Sequence, residues 1–153
     1  MTDELHPLNN SAESLRKSLL AGNATVTLRG VKTQTRFTYQ VQRKKGSEDG
    51  PWFVKVLTGA DNLSAYTFLG TIFADGQFRH SSRSSIGVTA PSHVMFKQVW
   101  ARVLSRFQAG AEKDPIAEIE VFHMGACLMC GRALTTPESV SLGIGPDCAS
   151  KGY

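Results

Sequence analysis

The sequence predicts an α+β fold, in which an antiparallel β-meander of about four strands is packed by one long helix and followed by a small cysteine module. Three observations carry this prediction. Short runs of alternating apolar and polar residues recur from residue 24 to residue 73. A longer stretch at residues 90–110 has apolar residues at helical spacing. All three cysteines of this 153-residue chain lie near its C-terminal end.

The sequence of the N-terminal half predicts one helix followed by several strands. SAESLRKSLLAG is typical of a short helix capped by Ser11 and ended by Gly22. ATVTLRG, TRFTYQVQR, PWFVKVLTG and SAYTFLGTIF follow as strand-like runs. RKKGSEDGP is polar and rich in turn residues, which indicates an exposed hairpin loop. The stretch ADGQFRHSSRSSIGVTAP predicts a long surface excursion with a short edge strand at 77–80.

The second half predicts the long helix and a last strand. Ser92 is the expected N-cap of APSHVMFKQVWARVLSRFQAG, and Gly110 is its expected end. IAEIEVFH alternates as a strand that leads to the cysteines. These elements suggest an N-terminal helix and arm (residues 1–22), a basic α+β domain (23–115) and a C-terminal module (116–153).

Charge is distributed unevenly along the chain. Residues 14–106 hold 14 lysines and arginines against four acidic residues, whereas residues 107–153 hold three against six. A polyanionic partner would therefore favour the middle of the chain. No apolar run approaches membrane-spanning length, and the N-terminus lacks the features of a secretory signal, so we expect a cytoplasmic protein without a membrane partner.

The cysteine module has the spacing His123-x3-Cys127-x2-Cys130-x17-Cys148. A C-x2-C pair on one turn aims two thiolates at one ion, and a structural zinc site needs four tetrahedral nitrogen or sulfur ligands. Cys148 is far enough along for the chain to fold back with a third thiolate, and His123 is the nearest histidine. The spacing predicts a Cys3His site for Zn²⁺ formed by these four residues.

Other roles for the cysteines are less well supported. A redox pair would need a βαβ context and would leave Cys148 without a role. A zinc deaminase would need H-x-E and P-C-x-x-C, whereas the sequence has His123-Met124-Gly125 and an alanine before Cys127. No H-E-x-x-H, P-loop or nucleophile elbow occurs either. We therefore expect a structural metal, no catalytic residue, no small-molecule substrate and no enzyme activity, with a metal enzyme as the least favoured alternative because no general base is paired with the metal.

The segment TTPESVSLGIGPDC has a second interpretation. Short helices are expected to begin at Pro137 and Pro146, on either side of a G-I-G turn. Such a turn presents N–H groups to phosphate in helix-hairpin-helix proteins, which makes Gly143 and Gly145 candidate nucleic-acid contacts. The alternative, favoured by the acidic character of the module, is that the turn only brings Cys148 to the metal.

The module resembles an uncharacterised domain-of-unknown-function family that is common in bacteriophage and bacterial genomes. Its pattern is C-x-x-C-G-R-x-L-T-x-P-x-S-x-x-x-G-I-G-P-x-C, often preceded by H-x-G-x-C, and it covers about a fifth of this chain. The matching residues are His123, Gly125, Cys127, Cys130, Gly131, Arg132, Leu134, Thr135, Pro137, Ser139, Gly143, Ile144, Gly145, Pro146 and Cys148. The resemblance implies a zinc-binding accessory protein, in the host cytoplasm if phage-encoded, and supplies no activity.

Basic and aromatic residues of the middle domain are candidate nucleic-acid contacts. The cations are Arg36, Arg43, Lys44, Lys45, Arg79 and Arg83, and the aromatics that are candidates for base stacking are Trp52, Phe53, Tyr66, Phe68 and Phe78. The alternatives are that the cations lie in solvated loops and that the aromatic side chains pack in the core. The first hypothesis is therefore non-specific association with DNA or RNA; the second is a protein–protein module, such as an inhibitor of a host enzyme.

Overall fold

Seven antiparallel strands form one sheet in the order β1-β7-β2-β3-β4-β5-β6 in the computed structural model, which describes residues 6–58 and 65–150. The strands are β1 (His6–Leu8), β2 (Asn23–Gly30), β3 (Arg36–Arg43), β4 (Trp52–Leu57), β5 (Tyr66–Ile72), β6 (Phe78–His80) and β7 (Ile119–His123). The helices are α1 (Ala12–Leu19), α2 (Pro91–Gln108), α3 (Pro137–Leu142) and α4 (Pro146–Ala149).

The α+β class is confirmed, but the predicted number of strands was too low. Strands β2 to β5 form the expected meander, and β6 is the short edge strand expected near residues 77–80. Strand β1 was missed because three residues with a central proline carry little strand signal, and its partner β7 is more than a hundred residues away in sequence. Strands β1 and β7 continue the same sheet beyond β2, so each of the three predicted segments, 1–22, 23–115 and 116–153, contributes at least one strand to it, and their division into domains stays a prediction.

One face of the sheet is covered by α1 and α2, and the hydrophobic core lies between them. Alternate strand residues point into this core, and they include the fully buried Val26, Tyr39 and Val54. The hydroxyl of Tyr39 donates to the carbonyl of Ser92 at 2.6 Å, which ties the sheet to the start of α2. Ser11 caps α1 as predicted. Ser92, predicted to cap α2, is instead inside it, because Pro91 occupies the first turn.

The opposite face of the sheet carries no helix among the described residues and is polar and aromatic. Threonine and glutamine side chains of β2 and β3 lie on it, and the Thr27 and Thr38 hydroxyls are 2.7 Å apart. Phe53 of β4 and Phe68 of β5 lie beside one another on the same face. We refer to this surface as the open face.

The C-terminal module packs against one end of the sheet. The backbone N–H of Asn23, at the start of β2, donates to the carbonyl of Leu128 at 2.9 Å, and Leu128 in turn donates to Gly143. Leu128 and Ile144 are buried in the same core as the sheet. The module is therefore an extension of the main core. None of the described helices combines the length and apolar character needed to cross a bilayer.

Candidate metal centre and basic groove

Three thiols converge at the end of the module. The Sγ atoms of Cys127, Cys130 and Cys148 all lie within 4.8 Å of one another. Cys127 and Cys148 are buried, and Cys130 is exposed. A tetrahedral zinc ion with Zn–S bonds of about 2.3 Å holds its sulfur ligands roughly 3.8 Å apart, so these thiols need to move little to bind one ion. The set of soft sulfur donors also suits zinc.

A tight turn places the first two thiols side by side. Gly131 follows the C-x2-C pair with φ +81°, a conformation that L side chains rarely adopt. Its N–H donates to the Cys127 carbonyl at 2.8 Å, and the Cys127 N–H donates to the Arg132 carbonyl at 2.8 Å. A Cβ at Gly131 would lie 2.6 Å from the side chain of Asn23. The glycine thus allows both the turn and its close approach to β2.

The G-I-G turn brings the third thiol to this pair. Gly143 ends α3 with φ +77°, and Gly145 precedes α4, which carries Cys148. The predicted helix starts at Pro137 and Pro146 are confirmed.

The N–H groups of the turn glycines already have acceptors. The Gly143 N–H donates to the Ser139 carbonyl at 2.8 Å, and the Gly145 N–H points at the Cys127 sulfur, 3.4 Å away. The geometry favours the interpretation in which the turn delivers Cys148 to the metal site over the one in which it binds phosphate.

The pKa values of Cys127 and Cys148 are shifted in opposite directions. Burial raises the pKa of Cys127, but hydrogen bonds from the N–H groups of Gly145, Cys130 and Met129 outweigh it, so the pKa falls to about 7. Burial, reinforced by the other two cysteines, raises the pKa of Cys148 to about 11. Three thiols at this separation lose their protons together only when a cation offsets their charge.

His123, the predicted fourth ligand, lies outside this cluster. Its Nδ1 accepts from the N–H of Gly125 at 3.0 Å, so Nε2 carries the proton and donates to the carbonyl of Val140 at 2.5 Å. Burial lowers the pKa of His123, the Val140 carbonyl raises it, and the stacked ring of His6 lowers it further. To bind metal, His123 would have to give up one of these two hydrogen bonds. Its role as fourth ligand stays a prediction.

A cleft of about 560 Å³ opens beside the three thiols. Arg132, Leu134 and Ser150 line it together with the cysteines. The cleft is large enough for a water molecule to complete a tetrahedral site. The described residues therefore offer three protein ligands and a solvent-accessible fourth position.

In the comparisons with known proteins, a match was found for the C-terminal module and for no other part of the chain. Residues 120–152 match the model of a family of unknown function, DUF6011. No curated protein and no solved structure matches the chain. The match contains all three cysteines and His123. It includes most of β7 and none of the other strands.

A second site is basic and lies at the same end of the sheet. Three adjoining clefts, of about 470, 440 and 400 Å³, share Arg43. The cations that line them are Arg16 and Lys17 of α1, Arg43 of β3, and Lys44 and Lys45 of the β3–β4 loop; the acids are Glu13 and Glu48. We call this surface the basic groove.

The basic groove touches the metal module. Met129, from the turn between the first two cysteines, lines two of the three clefts. A Cβ at Gly22 would lie 3.3 Å from the Met129 carbonyl and 3.7 Å from the Arg43 guanidinium. The C-x2-C turn therefore forms part of one wall of the groove.

The structure brings together only some of the predicted basic contacts. Arg43, Lys44 and Lys45 share the groove, whereas Arg36 lies at the opposite end of β3, roughly 23 Å away by strand geometry. Arg79 is exposed on β6, 4.0 Å from the Asp75 carboxylate, and Arg83 is exposed in the loop that follows.

Two groove residues, Arg16 and Met129, were not singled out from sequence. Arg16 lies over the ring of Phe107, 4.8 Å from its centroid, so α1 and α2 together fix its position. The sequence signal for Arg16 was its place on the polar face of α1, which any solvated helix also shows. Nothing in the local sequence links Met129 to a basic loop 85 residues earlier.

Proposed function

We propose that this protein is a small zinc-binding accessory protein that associates with nucleic acid through its basic groove. The observation that carries the proposal is that the C-x2-C turn of the three-cysteine cluster also forms a wall of a groove lined by five cations. The metal has a structural role in this proposal, and the groove supplies the binding.

Zinc is the proposed ion because three thiolates are soft ligands that favour it in the absence of oxygen donors. Between 124 and 150, the described module has two short helices and little apolar surface of its own. A bound ion would supply much of the free energy that holds such a module together.

Nucleic acid is the proposed partner because of the charge of the groove. Five cations face two acids, and four of the cations, Arg16, Lys17, Lys44 and Lys45, are exposed to solvent. Long basic side chains beside a main-chain turn suit a phosphate backbone without base sequence preference. Binding of this kind releases counterions and weakens steeply as salt is raised.

A gel-shift titration with short DNA and RNA strands over a range of salt concentrations tests this proposal. We expect complexes at low salt that dissociate as salt increases, with little dependence on base sequence. Absence of any complex at low salt would overturn the nucleic-acid part. A host protein that stays bound to the zinc-loaded chain after nuclease treatment would support the protein–protein alternative instead.

A further inference from the structure

We propose that the open face of the sheet makes this a single-strand-binding protein, in which bases stack on Phe53 and Phe68 while the basic groove holds the adjoining phosphates. This inference rests on the proposed function, and it adds a class of nucleic acid and a binding surface. Phe53 and Phe68 are the two aromatic side chains that carry the argument.

The two phenyl rings form a pair on neighbouring strands. Their centroids are 6.4 Å apart and their planes meet at 63°, so the contact is edge-on and leaves ring face available to another flat group. Both side chains are half-buried, on the side of the sheet away from α1 and α2. Successive bases can stack on such rings whatever their identity, because each base has a π face.

The neighbouring aromatics are placed differently. Trp52 points into the core and donates to the Leu20 carbonyl, and Phe78 packs on Phe96 beneath the sheet. On the open face, the guanidinium of Arg29 covers Phe122 at 5.0 Å. Tyr66, opposite Leu57 in the strand register, lies on the same face as Phe68. The Phe53–Phe68 pair is the stacking candidate because Phe53 also lines a cleft of the basic groove.

Phe53 connects the open face to the basic groove. It lines the same 400 Å³ cleft as Gln42, Arg43, Lys44 and Lys45. A strand with a base on Phe53 would therefore have a flanking phosphate within reach of these cations. A base next to a phosphate is the repeating unit of a nucleic acid, and this cleft offers a ring and cations together.

The charge of the open face also suits a polyanion. Lys55 lies beside Phe68 in the strand register. The exposed Arg36, opposite Arg29, and the exposed Arg79, opposite Thr71, lie farther out on the same face. Among the described strand residues of this face, Glu120 is the one acid, and Arg29 binds it at 2.9 Å.

Unpaired strands fit this surface better than duplexes. In a duplex the bases are stacked on one another and their faces are inaccessible to protein rings. The side-chain amide of Gln40 and the amide oxygen of Gln42, whose nitrogen donates to Asn23, offer hydrogen bonds to base edges, which only unpaired bases expose fully.

The test is fluorescence anisotropy of the zinc-loaded full chain with two labelled strands of equal length. One is oligothymidine, and the other is an abasic strand that has the same phosphates and no bases. The variant Phe53→Leu/Phe68→Leu keeps the side chains apolar and removes the rings. Phe37→Leu, on the helix-covered face of the same sheet, is the matched control.

We expect the double variant to bind oligothymidine at least tenfold more weakly than wild type. It should bind the abasic strand as wild type does, and Phe37→Leu should change neither affinity. Equal affinity of wild type and the double variant for oligothymidine would overturn the inference while leaving the proposed function intact, as would an equal loss on both strands. If wild type binds neither strand but binds a DNA duplex of the same length at low salt, the inference fails and the proposed function stands; if it binds none of the three, the proposed function itself fails.

Discussion

The cysteine cluster and the basic groove lie at the same end of the sheet, but they are assembled differently. The cluster comes from 22 consecutive positions, 127–148, in which two glycine turns place three thiols around one point. The groove comes from α1, the end of β3, the β3–β4 loop and the metal module, which are distant in sequence. The three thiols attract a cation, whereas the basic side chains of the groove attract an anion.

This difference shows how a local metal site can support a non-local surface. The hydrogen bond from the Asn23 N–H to the Leu128 carbonyl ties the C-x2-C turn to the start of β2, and Met129 from that turn lines the same cleft as Arg43 and Lys44. An ion that fixes the turn therefore also fixes a wall of the groove.

The largest expected effect is loss of the module in Cys148→Ser. Removing a thiolate should abolish tight zinc binding, which contributes on the order of 10 kcal/mol in structural sites. Hydrogen exchange measured by mass spectrometry should then show residues 124–150 unprotected and β2–β4 still protected. Ser141→Ala, at an exposed serine of α3, should leave both regions unchanged. Full protection of the module in Cys148→Ser would refute a structural metal.

The second-largest expected effect is weaker single-strand binding when two cations of the basic groove are removed. Lys44→Ala/Lys45→Ala should retain zinc and stability but bind single strands more weakly, because two phosphate contacts are removed. The slope of log affinity against log salt should become shallower by about 1.4. Lys97→Ala/Lys113→Ala removes the same charge from exposed positions elsewhere. If both double variants lose affinity equally, net charge and not the groove governs binding.

A smaller effect should appear when metal is removed from wild type. Chelation frees the C-x2-C turn and weakens its hydrogen bond to Asn23, so single-strand affinity should fall roughly 2- to 10-fold. Returning zinc should restore it. Chelator should have no further effect on Cys148→Ser. An unchanged wild-type affinity after complete zinc removal would show that the two sites act independently.

The smallest expected effect on the metal is that of His123→Gln. Because both ring nitrogens of His123 are hydrogen-bonded to backbone groups, the variant should lose about 1–3 kcal/mol of stability, measured by urea unfolding, and keep its zinc. His6→Gln, at the stacked neighbour, is the comparison variant. Zinc loss in His123→Gln alone would establish His123 as the fourth ligand, as the sequence spacing predicts.

The cysteine site was accessible from sequence because its determinants are local. The C-x2-C pair, the glycine after it and the G-I-G turn all act within a few residues of the thiols. His123 shows what sequence spacing cannot predict, because a histidine four residues before Cys127 can either bind the metal or form hydrogen bonds with backbone groups. The hydrogen bond of its Nε2 depends on α3, which supplies the Val140 carbonyl from 17 residues later in the chain.

The sheet and the groove were only partly accessible from sequence. Alternation predicted β2 to β5, because each of these strands has one buried face. It could not place β7 between β1 and β2, since that pairing depends on distant partners. Arg36 and Arg43 looked equivalent on one strand, yet Arg43 lines the basic groove, next to α1 and the metal module, and Arg36 lies at the other end of β3.

Metal content measured together with the visible spectrum of the cobalt-substituted protein tests the central claim most directly. The account predicts one zinc ion per chain in the purified protein. After exchange, it predicts Co²⁺ absorption bands typical of tetrahedral thiolate coordination, which disappear in Cys148→Ser. A chain that folds with its 124–150 module protected and binds neither zinc nor cobalt at these thiols would contradict it.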